Sequence, residues 1–299
     1  MISIVIRAKN EEAYITEVLE AIFAQDDLEE FEILVIDSGS TDRTKQLVQN
    51  YPVRLEEIHP DRFSFGSALN LGVALAQGEI VVYLSAHCTP TTHDWLRKLV
   101  DPLRRNDRLV ATYGRQQPRK GVNPFEEPAL LNSFPADYLQ APRALFSNAN
   151  CAIRRMVLLN HPFDESLTSS EDLVWRMNFD SEQIFYVPDA SVYHSHGINL
   201  RYWAHRFEED GFATIEMQRR YGIINPYFER ADTFSKAARG FFLGCMRLPL
   251  FFVFEGYFRF IPFVPIFEFV RACSTARGLR RGMMSTPATT DAAAGVRVN

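Results

Sequence analysis

Short apolar runs alternate with amphipathic segments along the first hundred residues. The runs are continuous and rich in β-branched residues, a pattern typical of strands that are buried on both faces of a parallel sheet. They occupy residues 3–8, 31–36, 53–58 and 80–84. Between them apolar residues recur at helical spacing, and helices are predicted from about residue 10, from about 44, over 66–76 and from about 93. This alternation predicts an α/β fold with a mostly parallel central sheet.

Polar loops that follow two of these strands mark the expected binding edge of the sheet. In doubly wound sheets, ligands bind outside the carboxyl ends of the strands, at a switch point. The loops begin after Ile36 and Leu84. No G-x-G-x-x-G follows the first strand and no G-x-x-x-x-G-K-[ST] occurs, so the usual dinucleotide and P-loop patterns are absent.

The second half of the chain is less regular. The pattern weakens over 112–144, and a strand is predicted at 146–153. A short helix at 173–179, a strand at 184–187 and a long charged helix at 199–221 follow.

Residues 241–270 differ in character from the rest of the chain. The stretch is rich in Phe, but charged residues and prolines interrupt it: Arg247, Pro249, Glu255, Arg259, Pro262, Pro265 and Glu268. No apolar run reaches the roughly 18 to 20 residues that a membrane span needs. We predict short helices that lie in a membrane interface, with peripheral contact through 241–284 and arginines as basic flanks. A helical subdomain that packs on protein is the alternative.

Composition narrows the range of partners and compartments. The net charge of −5 gives no reason to expect a nucleic-acid partner. Four cysteines occur without C-x-x-C spacing, which suits a reducing compartment. The chain starts directly as a strand rather than with a signal-peptide pattern. We expect a cytoplasmic protein, with the cytoplasmic face of the inner membrane as the surface that the aromatic segment would contact.

Four motifs occur in a fixed order along residues 2–200. They are Ile4-Val5-Ile6-Arg7-Ala8-Lys9-Asn10-Glu11-Glu12, Val35-Ile36-Asp37-Ser38-Gly39-Ser40-Thr41-Asp42, Phe65-Gly66-Ser67-Ala68-Leu69-Asn70-Leu71-Gly72 and Ser170-Glu171-Asp172-Leu173-Val174-Trp175-Arg176. In this order and spacing they resemble family 2 glycosyltransferases. With Tyr193-His194-Ser195-His196, the chain looks most like bacterial rhamnosyltransferase-type members that build surface polysaccharides.

The resemblance implies a fold, an activity and a division of the chain. The fold would be GT-A, a Rossmann-like nucleotide-binding fold with a mostly parallel sheet. The activity would be inverting transfer of a sugar from a nucleoside-diphosphate donor to a saccharide or lipid-linked acceptor. We predict a GT-A domain over 1–222, with a nucleotide-binding half (1–110) and an acceptor half (111–222). A helical extension (223–284) and a disordered tail (285–299) would follow.

The predicted nucleotide site lies at the first two strand ends and the fourth. Asp37 follows a strand directly and can accept hydrogen bonds from a base or ribose. By resemblance the nucleotide-binding residues are Ala8, Asn10, Glu11, Asp37, Ser40, Asp42, Ser85 and Ala86. A turn or helix-cap role is the alternative for Asp37 and Asp42.

The expected diphosphate site departs from the family pattern. Family members usually hold a divalent cation with Asp-x-Asp after a strand, and this chain has Ser85-Ala86-His87 there. An imidazole can bind Mn²⁺ but suits Mg²⁺ poorly, which leaves a requirement for either ion open. His194 and His196 alternate along an extended segment and face one side. We hypothesise that His87 and one of this pair face the diphosphate, as metal ligands or as direct phosphate donors.

Asp172 is the candidate general base, because inverting transfer needs one positioned carboxylate to deprotonate the acceptor hydroxyl. Glu171 would orient it or bind acceptor hydroxyls. The alternative is that these acidic residues only decorate a helix N-terminus. Weaker candidates for contact with sugar, acceptor or phosphate are Asn148, Asn150, Trp175 and Arg115, with a core position as the alternative for the Trp. Arg119 and Lys120 are expected on a loop surface.

Two other functions compete with sugar transfer. Loss of Asp-x-Asp would suit a non-catalytic scaffold that binds nucleotide sugars. A nucleotidyltransferase would also use an α/β nucleotide domain, but it would typically carry a Gly-rich loop after the first strand. Arg7-Ala8-Lys9-Asn10 contains no Gly.

Overall fold

The computed structural model describes residues 1–26, 30–140, 145–222 and 234–285. The strands are β1 (Ile2–Ala8), β2 (Phe31–Asp37), β3 (Arg54–Glu57), β4 (Ile80–Ser85), β5 (Thr89–Pro90), β6 (Ala111–Gln117), β7 (Asn150–Arg154) and β8 (Ile184–Tyr193). The α-helices are α1 (Ile15–Phe23), α2 (Thr44–Val48), α3 (Phe65–Leu75), α4 (Trp95–Arg105), α5 (Glu127–Ser133), α6 (Arg155–Asn160), α7 (Glu171–Arg176), α8 (Leu200–Tyr221), α9 (Phe234–Phe254) and α10 (Val264–Met284). Apart from Ser285, the tail predicted to be disordered lies outside the described residues.

All the described strands belong to one mixed sheet, in the order β3-β2-β1-β4-β7-β6-β8-β5. The first four in this order are parallel, and so are β6 and β8. β7 runs antiparallel to both of its neighbours, and β5 runs antiparallel to β8. The predicted α/β fold with a mostly parallel sheet is therefore confirmed.

Helices cover both faces of the sheet. Alternate residues of each strand point to opposite faces, so each strand contributes side chains to both cores. On β1, Ile4 and Ile6 pack with the apolar faces of α1 and α4. Val5, between them, belongs to a second core that includes Leu69 and Val73 of α3. Both cores exclude water almost completely, which explains why the strands appear in the sequence as continuous apolar runs.

The chain divides into two compact units. The first contains the sheet and comprises Met1–Arg119, Ala129–Ser166 and Glu171–His196. The second comprises Lys120–Pro128, Leu167–Ser170 and the described residues from Gly197 onward. This division differs from the predicted boundary at residue 222, because α8 packs with α10 in the second unit.

The second unit has an aromatic core of its own. It is built from Phe125, Trp203, Phe252, Val264 and Phe267. The helices α9 and α10 each span 21 residues, so the prediction of short helices in this region is wrong. The prolines explain the difference: Pro249 is accommodated inside α9, and Pro265 lies in the first turn of α10, where no intrahelical N–H is needed.

Among the residues that the structure describes, no helix combines the length and apolarity required to cross a bilayer.

The fold predicts a specific effect of adding one methyl group at Gly66, in the first turn of α3. A Cβ atom there would lie 2.6 Å from the carbonyl oxygen of Asp164 and 2.9 Å from its carbonyl carbon. Because this obstacle is backbone, Gly66→Ala should lower the free energy of unfolding by about 1–3 kcal/mol. The helix propensity gained by replacing Gly, about 1 kcal/mol, opposes this loss but does not offset it.

Urea unfolding measures the change, and Gly197→Ala is the matched control. No atom lies within 4 Å of the Cβ position at Gly197, so this variant should stay within about 0.5 kcal/mol of the wild type. Equal stability of the two variants would contradict the close approach at Gly66.

Candidate functional site

The ends of the parallel strands and the start of β7 lie at one edge of the sheet. Ala8 pairs with Asp37, and Arg7 pairs with Ser85. Since β7 runs antiparallel to β4, its first residue, Asn150, pairs with Leu84 at this same edge. The residues that precede β7 therefore enter the region where the predicted nucleotide-binding loops begin.

Asp37 anchors the turn that follows β2. Its side chain is fully buried and accepts hydrogen bonds from the backbone N–H of Gly39 (2.9 Å) and Ser40 (2.8 Å) and from the Ser40 hydroxyl. Gly39 has a φ of 87°, which glycine adopts without strain. These contacts correspond to the turn-forming alternative for Asp37.

Asn10 joins the loop after β1 to the loop after β2. Its φ of 56° is left-handed, a conformation that Asn tolerates better than most residues. Its backbone N–H donates to the Ser40 hydroxyl (2.8 Å), and its side-chain oxygen accepts from the N–H of Thr41 (2.8 Å). The predicted nucleotide-binding residues Asn10 and Ser40 thus lie in one hydrogen-bonded pair of loops.

Asp42 caps the start of α2. Its carboxylate accepts from the N–H (2.9 Å) and hydroxyl (2.6 Å) of Thr44 and from the N–H of Glu12 (3.1 Å). Burial raises the pKa of Asp42, but these hydrogen bonds together lower it below the usual value. The capping alternative describes the contacts of Asp42.

Three histidines cluster beside the end of β4. The ring centroids of His87, His194 and His196 are separated by 5.0, 4.7 and 4.8 Å, and one nitrogen of each lies within 4.8 Å of the others. The Nδ1 atom of His87 donates to Oε1 of Glu11 (2.7 Å), and that of His194 donates to Oε1 of Gln116 (2.5 Å). Both histidines predicted in the Tyr193–His196 segment therefore join His87, rather than only one.

The contacts of this histidine cluster fit a transition-metal ion. When Nδ1 carries the hydrogen, the neutral ring presents its Nε2 lone pair as a ligand. Three imidazoles at this separation repel one another if all are charged, which disfavours a set of three protonated phosphate donors. Imidazole nitrogens suit Mn²⁺ or Zn²⁺ better than Mg²⁺.

Asp172 and Glu171 begin α7 beside Asn148. Asp172 is half-buried and accepts from the backbone N–H of Asn148 (3.3 Å), and Glu171 is buried and accepts from the Asn148 side chain (2.7 Å). Burial and the neighbouring charge of Glu171 raise the pKa of Asp172 to about 7. Hydrogen bonds from the N–H groups of Asn148 and Leu173 and the charge of Arg7 oppose this rise.

The sequence interpretation did not include Arg7 and Gln116 in the site. Arg7 contacts Asn148 and Glu171, and Gln116 contacts His194. The signal for Arg7 was a charged residue inside the mostly apolar run of β1. Gln116 left no signal in the sequence, because its burial on β6 is visible only in the structure.

Several weaker candidates have structural contacts that account for them. Asn150 is fully buried, accepts from the Trp95 indole (3.1 Å) and donates to the carbonyl of Ala190 (2.9 Å). Trp175 is 2% exposed and donates to the carbonyl of His161, which leaves no ring face for a sugar. The core alternative therefore describes Trp175, and Asn150 lies inside the sheet.

Arg115 and Arg119 each have specific contacts in the structure. The Nε of Arg115 donates to the carbonyl of Phe134 (3.3 Å). Lys120 lies on the predicted loop surface, with a side chain that is 85% exposed, whereas the side chain of its neighbour Arg119 is only 18% exposed. Its guanidinium stacks at 5.3 Å from both Tyr14 and Tyr193 and forms an ion pair with Glu17 (2.9 Å).

Comparison with known proteins identifies the family. The family described as Glycosyl transferase family 2 matches residues 3–161, more than half of the chain. The chain belongs to glycosyl transferase family 2. Within this family, the O-antigen chain rhamnosyltransferase WbaN of Salmonella anatum is 27% identical over 214 residues. That alignment covers 67% of this chain and 65% of the relative, so the chain matches just under two thirds of the length of WbaN.

Solved structures share the fold of this family 2 member. The mannosyltransferase PcManGT of Pyrobaculum calidifontis, in complex with GDP-Man and Mn²⁺, has a TM-score of 0.62 at 16% identity, covering 95% of this chain and 87% of that one. Glucosyl-3-phosphoglycerate synthase of Mycobacterium tuberculosis, in complex with Mn²⁺, UDP-Glc and phosphoglyceric acid, has a TM-score of 0.56 at 23% identity, covering 76% and 81%. The similarity confirms the expected GT-A-like fold.

Proposed function

We propose that this protein is an inverting glycosyltransferase. It would move a sugar from a nucleoside-diphosphate donor to a saccharide or lipid-linked saccharide acceptor in the synthesis of a cell-surface polysaccharide. The observation that carries this proposal is Asp172, a half-buried carboxylate with a pKa of about 7 at the sheet edge where the predicted nucleotide-binding loops begin. Family membership and the likeness to a rhamnosyltransferase support the class of donor and product. A rhamnosyl donor follows only from that likeness.

Asp172 would act as the general base. A base with a pKa near the working pH combines a substantial ionised fraction with a useful driving force for proton transfer. As the acceptor oxygen attacks the anomeric carbon, its proton passes to Asp172, the bond to the diphosphate breaks, and the nucleoside diphosphate leaves with the electron pair. Attack from the face opposite the leaving group inverts the anomeric centre.

His87, His194 and His196 would hold a divalent ion beside the diphosphate. Two proteins of the same fold were solved with Mn²⁺ and a nucleotide sugar, which supports this assignment. The ion would supply positive charge for the departing diphosphate. Glu11, predicted to bind nucleotide, would then hold His87 in place through the 2.7 Å hydrogen bond.

A non-catalytic scaffold is the second candidate, and the loss of Asp-x-Asp favours it. Against it stands Asp172, because a scaffold has no need of a half-buried carboxylate with a raised pKa. A nucleotidyltransferase lacks support, since the loop after β1 has no glycine.

Peripheral membrane contact is proposed for the C-terminal helices, at the cytoplasmic face of the inner membrane. Large apolar side chains are exposed along α9 at helical spacing and in the turn after it: Phe242, Met246, Leu250, Phe254 and Phe258. Arg247 and Arg259 are exposed on the same segment and could contact anionic headgroups. Among the described residues no helix is suited to span the bilayer, so the contact would lie in the interface.

Replacement of the base tests the main proposal. Asp172→Asn should lower the release of nucleoside diphosphate and sugar transfer at least a hundredfold, because the amide cannot accept the proton. The assay uses UDP-glucose, GDP-mannose and dTDP-rhamnose in turn, and nucleotide binding is followed by thermal shift. For the wild type, kcat/KM should rise with pH through about 7, since Asp172 must lose its proton to act.

Asp180→Asn, an acidic residue exposed after α7, is the matched control and should keep wild-type turnover. Near wild-type turnover of Asp172→Asn would reject Asp172 as the base. Nucleotide binding without hydrolysis or transfer of any donor, in the wild type, would favour the scaffold.

Calorimetric titration of Mn²⁺ into metal-free protein tests the histidine cluster without reference to activity. His87→Ala and His194→Ala should each weaken binding at least tenfold, because each removes a ligand. His59→Ala should not, since His59 is exposed and contacts Asp61 instead. Equal Mn²⁺ affinity in all three variants would exclude the cluster as the ion site.

Flotation with phosphatidylglycerol vesicles tests the membrane contact. Phe254→Ser should reduce vesicle binding severalfold, because the exposed ring would no longer enter the interface. Leu139→Ser is the control: Leu139 and Phe254 are both 86% exposed, but Leu139 lies in the other unit. A dimer that dissociates on Phe254→Ser, without vesicle binding, would support the packing alternative instead.

A further inference from the structure

Arg7 is the charged residue of the buried strand β1. Its side chain is only 14% exposed, and its guanidinium lies 5.0 Å from the centre of the Phe65 ring. Burial of a guanidinium is unfavourable unless an anion or several acceptors compensate for lost hydration. The contacts of Arg7 therefore show which groups compensate its buried charge.

Those contacts lead to the candidate base. The Arg7 Nη2 donates to Oδ1 of Asn148 (2.8 Å), and the Asn148 amide donates to Oε1 of Glu171 (2.7 Å). The Arg7 Nη1 lies 3.8 Å from the same Glu171 oxygen. The backbone N–H of Asn148 in turn donates to Oδ2 of Asp172 (3.3 Å).

Glu171 and Arg7 have opposite effects on the pKa of Asp172. The side chain of Glu171 is 5% exposed, and a nearby cation offsets the cost of burying its charge beside a second carboxylate. The charge of Glu171 raises the pKa of Asp172, and the charge of Arg7 lowers it. Cys151 on β7 also interacts with Asp172, and burial raises the pKa of its thiol, which stays neutral.

We infer that Arg7 is a positioning residue for the base: it is the counter-ion of Glu171 and, through Asn148, fixes the place and charge of Asp172. Glu171 is then part of this network instead of an acceptor-binding group. The inference rests on the proposed function, because it assigns a role relative to Asp172.

The pH dependence of kcat/KM separates the charge of Arg7 from its shape. Arg7→Met removes the charge, so the pKa of Asp172 should rise. The acidic limb of the plot of kcat/KM against pH should then shift to higher pH by about one unit. Turnover at pH 7 should fall at least fivefold. Arg7→Lys keeps the charge but loses the planar fork, so the limb should stay in place while the high-pH plateau falls.

Glu171→Gln should shift the acidic limb of the kcat/KM profile in the opposite direction. Removing the negative charge should lower the pKa of Asp172 and move the acidic limb to lower pH. Arg154→Met is the matched control: Arg154 is also half-buried and bonded to backbone carbonyls, but it lies at the other end of β7. It should lower the melting temperature without moving the limb.

The outcomes distinguish this inference from the proposed function. If Asp172→Asn keeps wild-type turnover, the base assignment fails. If Asp172→Asn is inactive but neither Arg7→Met nor Glu171→Gln moves the limb, only the role of Arg7 is overturned. If Arg7→Met does not fold, Arg7→Lys and Glu171→Gln decide between the outcomes. An unshifted acidic limb in Glu171→Gln overturns the inference. A shift of the limb to lower pH in Glu171→Gln, together with an unshifted limb in Arg7→Lys, supports the inference.

Discussion

Compensation of buried charge at the carboxyl end of β1 is the constraint on which the site depends. Arg7, the last residue but one of this strand, reaches Asn148 and Glu171, and Glu11, in the loop that follows, reaches His87. One strand end thus fixes both the acidic start of α7 and the first histidine of the cluster. Because β1 lies in the interior of the sheet and is paired on both sides, it gives the side chains of Arg7 and Glu11 a rigid attachment point.

Ser85 and His87 stand where the family resemblance places a carboxylate pair, and this changes the charge balance of the site. An Asp-x-Asp pair would bring two negative charges close to Glu11, and Ser85 and His87 bring none. Glu11 can then serve as the hydrogen-bond acceptor that orients His87, a role that would be unfavourable beside two ionised carboxylates. The histidine cluster and Glu11 are best understood together.

Much of the sheet could be predicted because burial on both faces leaves a direct trace in composition. The strands β1, β2 and β4 were predicted to within one or two residues. The direction of β7 was not predictable, since an apolar run does not encode whether its neighbour is parallel. The membership of α8 was also missed, because periodicity shows which face of a helix is apolar but not what covers it. The Arg7–Asn148 contact joins residues 141 positions apart, beyond the reach of local patterns.

The antiparallel course of β7 has a consequence for how such a protein can diversify. This strand carries the chain into the sheet at the edge where its parallel neighbours terminate, so Asn148 approaches Asp172 from a different direction than the loops after β1, β2 and β4. The loops after β1, β2 and β4 and the residues that lead into β7 are distinct parts of the chain. Under the proposed function, donor handling and acceptor choice would fall to separate stretches of polypeptide, and new linkages would arise through change in one while the other is inherited intact.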